Sequence, residues 1–363
     1  MHSRSRTLLA VLLFLFGLMD IILVVVFVEG GDWAPLWAAG RLAWSDPSSI
    51  YDFALVTEAQ RPILGETVLR PFIYPPSALL IIAPFAWLPF YASFIAFIAI
   101  TGAAFAREGF RIGAHWGLLA APPVFLAALV GQTSFLVGAL ALAGLSQLRS
   151  KPALAGALLG VAAAIKPTLF ILAPFALVAG GHWRSLIFAG VGGLCAIALS
   201  ALCFGVEPWF AWFDAIPRFQ ALFLENETLV RTAVSPYALG VRYGFESGWI
   251  IVVCGAVALA GVIFTFRATD DVAARLVALF GGALLMTPYA MNYELALLAP
   301  AVMTIPLRRP QDIALPLFFG ASLLAAASAA GLVLVMIWFA VRTFRPELVS
   351  DEALVQRRVD VTA

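Results

Sequence analysis

Apolar runs separated by short polar breaks recur along the chain to about residue 341, in the pattern of helices that span a membrane or are embedded in it. The first run covers 7–28. A polar and aromatic stretch at 29–76 follows, and a second run at about 77–105 ends in the basic loop "AREGFRIGAHW". Shorter runs then alternate with polar turns at Gly131-Gln132, "SQLRSK", Lys166-Pro167 and "GHWRS". A longer run at about 186–204 precedes a second polar stretch at 205–248. Runs at 249–266, from about 276, and beyond "TPYAMNYE" complete the series up to "PLRRPQD". The last apolar region, 313–341, is either one long span or two short ones around "AAASAAG", so the total is eleven or twelve.

Alternate loops carry the bases: Arg4 and Arg6, Arg107 and Arg111, Arg149 and Lys151, then Arg184. Cytoplasmic loops are enriched in such residues, which places the N-terminus and these loops inside, and 29–76 and 205–248 outside. Arg342, Arg345, Arg357 and Arg358 favour a cytoplasmic tail at 346–363 after a membrane domain at 1–345. The first run is too long for a secretory signal and lacks a small-residue cleavage site, so it reads as an uncleaved span. The expected fold class is an all-α polytopic membrane bundle with outer loops.

Two runs stand out by being short. Those before Gln132 and before Lys166 hold about 13 or 14 apolar residues, roughly 20 Å of helix against a hydrocarbon core of about 30 Å. Their polar ends must lie within the membrane, which is tolerated only against protein or a water-filled cavity. The spacing therefore predicts an outward-facing intramembrane cavity.

Several residues are candidates for chemistry there. In "GGDWAPLWAAGRLAW", Trp33, Trp37 and Trp44 fall within about 40° of one another on a helix, an indole stripe suited to the headgroup layer. Asp32 is then either the cap of that helix or a carboxylate placed to take a proton from a hydroxyl. Lys166 ends a short helix without a carboxylate nearby in sequence and is either a cavity-facing phosphate ligand or a lysine that snorkels to the interface. Gln132 is a cavity hydrogen-bonding group or a turn residue, and Glu294 caps an inward-going helix or faces the cavity. Asp20, within the first span, is a functional carboxylate or is paired across helices. Arg41, Arg70, Arg218 and Arg231 are outer cations able to clamp a phosphate, and Tyr74-Pro75-Pro76 sets an extended entry into the second run.

The composition fits a membrane protein: 63% of the 363 residues are hydrophobic and 12% charged, against about 25% charged in an average soluble domain. A net charge of +1, with bases scattered singly, excludes nucleic-acid binding. Cys195, Cys203 and Cys254 lie in apolar runs without metal-binding or disulfide spacing. The histidines, His2, His115 and His182, fall in segments assigned to the cytoplasm. No phosphate-binding glycine loop, serine-nucleophile elbow, zinc motif or dinucleotide fingerprint is present.

Five stretches, "GGDWAPLWAAGRLAWSDPSSIYD", "FIYPPSALLIIAPFAWLP", "GQTSFLVGALALAG", "KPALAGALLGVAAAIKPTLFILAPFAL" and "TPYAMNYELALLAPA", together resemble, in order, the bacterial membrane glycosyltransferases of family 87, the DUF2029 group, which includes polyprenyl-phosphate-mannose-dependent mannosyltransferases. The resemblance implies a GT-C architecture in the bacterial inner membrane and an active site on the periplasmic face. It implies transfer of a hexose from a polyprenyl-phosphate sugar to a lipid or glycan acceptor, with inversion. By the same resemblance Asp32 is the general base and Lys166 stabilises the departing phosphate. Gln132, Arg41, Tyr74, Tyr293 and Glu294 are the further substrate-binding candidates. Tyr293-Glu294 stands where the family often has tyrosine-aspartate. No cofactor and no metal ligand set is expected, the donor being a substrate. Residues alone leave a rival, a transporter or flippase of lipid-linked sugars, since broken helices around a polar cavity also suit transport; a non-catalytic scaffold leaves Lys166 and Asp20 unexplained.

Overall fold

The structure is a computed structural model that describes residues 3–26, 30–65, 69–245, 248–306, 313–323 and 328–344. The loop at 307–312, the break at 324–327 and the tail at 346–363 of the sequence reading lie outside them. Among the described residues the secondary structure is helical apart from one antiparallel bridge between Ala233 and Met291.

Among the described residues three helices are long and apolar enough to cross a membrane unaided: Phe90–Arg111, Trp183–Phe204 and Gly248–Ala268. Shorter apolar helices fill the space between them, including Ser134–Ser146 and Pro152–Ile165. Ser3–Val26 packs against the short Pro122–Val130 helix. The final apolar region forms two helices, Ala314–Ala321 and Ser328–Phe344, which pack on each other.

The seam between Pro152–Ile165 and Trp183–Phe204 is set by missing side chains. A Cβ on Gly156 would lie 2.2 Å from the Ser185 carbonyl oxygen, and one on Gly160 would lie 2.0 Å from that of Ala189. Small residues four apart let the two backbones meet, the usual basis of helix association where lipid offers no hydrophobic gain.

One expected span is corrected. The run read as 77–105 divides into a short piece, Pro76–Ala78 followed by Leu79–Phe85, and the long helix that starts at Phe90. The hydropathy is continuous across the break, but Pro84 and Pro89 each remove a backbone donor, so the helix stops and restarts.

The indole stripe of Trp33–Ser45 is not uniform: its first indole faces protein and its last is exposed. Trp33 is fully buried, stacked on Phe97 with ring centroids 4.3 Å apart, and donates to Ser93 Oγ at 3.2 Å. Trp37 and Trp44 donate to the carbonyls of Leu88 and Ala83 at 3.0 Å each. Trp37 is half-buried and Trp44 exposed, the latter beside the exposed Trp87 at 5.1 Å. Periodicity placed the three indoles on one face but carried no information about what that face meets.

Candidate functional site

Two helix ends and two loops converge at one end of the bundle, opposite the end that carries Arg111, Arg149 and Arg184. Pro122–Val130 ends in Gly131, left-handed at φ 86°, and a Cβ there would fall 2.5 Å from Trp33 Cβ. That tight turn lets residues 30–32 dock onto the helix end, with Gly30 N–H donating to the Leu129 carbonyl at 2.7 Å and Asp32 N–H to that of Val130 at 2.8 Å. Carbonyls that the helix leaves open are thereby satisfied by the loop. The docking puts Asp32 beside Gln132, one hundred positions away in the chain.

Asp32 does not cap the helix it precedes. It has helical backbone angles and its side chain makes no bond to the first turn. Gln132 Nε2 instead donates to Asp32 Oδ2 at 2.6 Å. Tyr74 OH donates to Gln132 Oε1 at 3.0 Å and accepts from Thr133 Oγ1 at 3.0 Å. Tyr74 is fixed through its backbone: Tyr51 OH donates to the Tyr74 carbonyl at 2.5 Å, and Trp212 Nε1 to that of Ile73 at 3.0 Å.

Lys166 follows the last turn of Pro152–Ile165, held at φ −142°, ψ 76° ahead of Pro167, which excludes the helical conformation from the residue before it. Its ammonium lies 5.6 Å from the Tyr74 ring centroid. Sequence proximity gave it no partner, but the fold supplies one, Glu294 Oε1 at 2.5 Å. Both are buried, with side-chain exposures of 13% and 7%. Glu294 also caps its own turn by accepting from Met291 N–H at 3.0 Å. The preceding loop is pinned by the Val234 N–H bond to the Ala290 carbonyl at 2.7 Å and the Ser235 Oγ bond to that of Pro288 at 2.8 Å.

Asp32, half-buried, is the centre of this arrangement. Burial pushes its carboxyl above the usual carboxylate range, opposed first by the Gln132 hydrogen bond and then by the charges of Arg70 and Lys166. Arg70 spends Nη1 on the Gly31 carbonyl at 2.9 Å and has no carboxylate within ion-pair distance among the described residues. Tyr293 lies close enough to Asp32 and Glu294 to feel their charges.

Of the residues expected from sequence, Asp32, Gln132, Tyr74, Lys166, Tyr293 and Glu294 therefore meet. Arg41 stands apart, exposed and 5.0 Å over the Trp37 ring. Arg218 covers Phe53, and Arg231 pairs with Glu227. The arginine beside Asp32 is Arg70, and Thr133 joins the cluster unforeseen; the adjacency of "GQT" to the short-helix end was its only signal. Asp20 is buried in the first helix without an ion pair among the described residues, its Oδ1 unbonded. Among the described residues no cluster of three His, Cys, Asp or Glu side chains could hold a metal ion.

A model of glycosyltransferase family 87 matches residues 72–288, more than half of the chain. The chain belongs to glycosyltransferase family 87. It is thus a membrane glycosyltransferase, which sets the transporter reading aside. The matched segment contains Tyr74, Gln132 and Lys166, while Asp32 and Tyr293-Glu294 flank it. No curated protein and no solved structure matches this family 87 chain.

Proposed function

We propose that this glycosyltransferase moves a hexose, mannose-like in class, from a polyprenyl-phosphate sugar to a hydroxyl of a lipid or glycan acceptor, with inversion at the anomeric carbon. In this reading it is a GT-C bundle of eleven or twelve spans in the bacterial inner membrane. Its N-terminus is cytoplasmic and the Asp32 end of the bundle faces the periplasm, as the bases at the opposite end require under the positive-inside rule.

The observation that carries the reading is the half-buried Asp32 carboxylate with two cations, Arg70 and Lys166, near enough to feel its charge. Asp32 takes the proton of the acceptor hydroxyl as its oxygen attacks the anomeric carbon from the face opposite the phosphate. The bond from that carbon to the phosphate oxygen breaks, and its electron pair leaves with the polyprenyl phosphate. Negative charge migrates from carboxylate to phosphate, so cations beside both stabilise the transition state without a change in total charge. Because Glu294 already neutralises Lys166, Arg70, one of the four outer arginines able to clamp a phosphate, is the better placed to meet it, in the role that the resemblance gave to Lys166. Tyr293 offers a hydroxyl and a ring face to the sugar.

Asp32→Asn tests the assignment. Transfer of labelled sugar from polyprenyl-phosphate-mannose should fall by about two to four orders of magnitude while the protein still elutes as a folded species in detergent. Undiminished transfer removes Asp32 from the role of base.

A further inference from the structure

We infer that Gln132 is a positioning residue for Asp32, and that Tyr74 and Thr133 fix the orientation of its amide, so that the three form a one-way series of donors ending on the carboxylate. The inference rests on Asp32 being the base.

The direction follows from donor and acceptor chemistry alone. An ionised carboxylate only accepts, so the group 2.6 Å from Oδ2 must be the Gln132 NH2. The amide oxygen then faces Tyr74, which must spend its single proton there, at 3.0 Å. The Tyr74 oxygen is left to accept, and Thr133 Oγ1 stands 3.0 Å away to donate. Every proton in the series points toward Asp32, which favours its charged form, and successive bonds polarise one another. The anchors are firm: Gln132 and Thr133 are 4% and 0% exposed and follow directly on the Gly131 turn.

Oδ2 is thereby committed, and no described group donates to Oδ1, the oxygen that remains for the acceptor hydroxyl. The other charged or titratable groups facing the cluster are Arg70, Lys166, Tyr293 and Glu294. Substitutions at Gln132 or Thr133 leave these in place, whereas Tyr74→Phe also removes a hydrogen-bond partner of Lys166.

The sign of the effect is fixed. Removing a donor from a carboxylate raises its pKa, and a base is active only when deprotonated, so the acid limb of the transfer rate moves to higher pH. For Gln132→Leu the expected shift is about one pH unit, with the KM for polyprenyl-phosphate-mannose little changed. Tyr74→Phe and Thr133→Val should move the limb the same way by less. Because the residues act in series, Thr133→Val/Gln132→Leu should move it no further than Gln132→Leu alone.

Infrared titration of the Asp32 carboxyl band, identified by its loss in Asp32→Asn, reads the same shift without substrate. A folded Gln132→Leu protein with an unmoved limb and an unmoved band overturns the inference, as do additive shifts in the double variant. If Gln132→Leu does not fold, Tyr74→Phe and Thr133→Val carry the test, and unmoved bands in both overturn it. Loss of transfer in Asp32→Asn alongside unmoved bands leaves the base assignment standing. Full transfer in Asp32→Asn overturns that assignment and this inference with it.

Discussion

At the scale of residues, the buried pair between Lys166 and Glu294 is a larger commitment than either side chain suggests. Two charges removed from water are costly, and their attraction offsets the cost only while both are present. Lys166→Met should therefore destabilise the protein by about 3–5 kcal/mol, because it strands a buried carboxylate. Adding Glu294→Gln should recover most of that loss, since a neutral amide still accepts from Met291 N–H. Thermal unfolding of the purified variants in one detergent checks this, and a double variant no more stable than Lys166→Met refutes it. The pair also sorts the cations at the site: Lys166 arrives with its charge matched, Arg70 without an ion-pair partner among the described carboxylates.

At the scale of elements, what positions the chemistry is helices that stop. Pro122–Val130 and Pro152–Ile165 end inside the bundle and hand Gln132 and Lys166 to the site. The second is braced along its back by the glycine seam with Trp183–Phe204. Gly160→Ala pushes a Cβ to within 2.0 Å of a backbone oxygen that cannot rotate away, and should cost about 1–3 kcal/mol or more. Gly190→Ala on the partner helix meets nothing within 4 Å and serves as the control, expected to be neutral or slightly stabilising in the same unfolding assay. Short helices were legible in the sequence because hydropathy counts residues against membrane thickness, and so were Asp32 and Lys166, as charges standing where charge is expensive. Their partners were not. Gln132 meets Asp32 across one hundred positions, and no local period records which loop docks on which helix end. The break at Pro84–Pro89 was missed for the opposite reason: hydropathy sees apolar side chains and is blind to a missing backbone donor.

At the scale of the whole molecule, the two ends of the bundle differ in kind. One gathers Asp32, Lys166, Arg70 and Glu294; the other carries exposed bases, among them Arg149 paired with Asp270. In a variant lacking the native cysteines, Ser48→Cys at the site end should react in intact cells with a maleimide that does not cross the inner membrane. Arg149→Cys should react only after permeabilisation. The reverse result inverts the proposed orientation and with it the source of the donor lipid. One further consequence concerns how tolerance to mutation is interpreted. Gly131 performs no chemistry, yet a side chain there meets both a forbidden backbone conformation and the flank of Trp33, so a saturation screen of the whole gene for growth or transfer should find it about as intolerant as Asp32. In such a screen the depth of a fitness defect ranks positions by how much of the architecture hangs on them, and separating the hinge from the reagent takes a measurement of protein abundance beside that of activity.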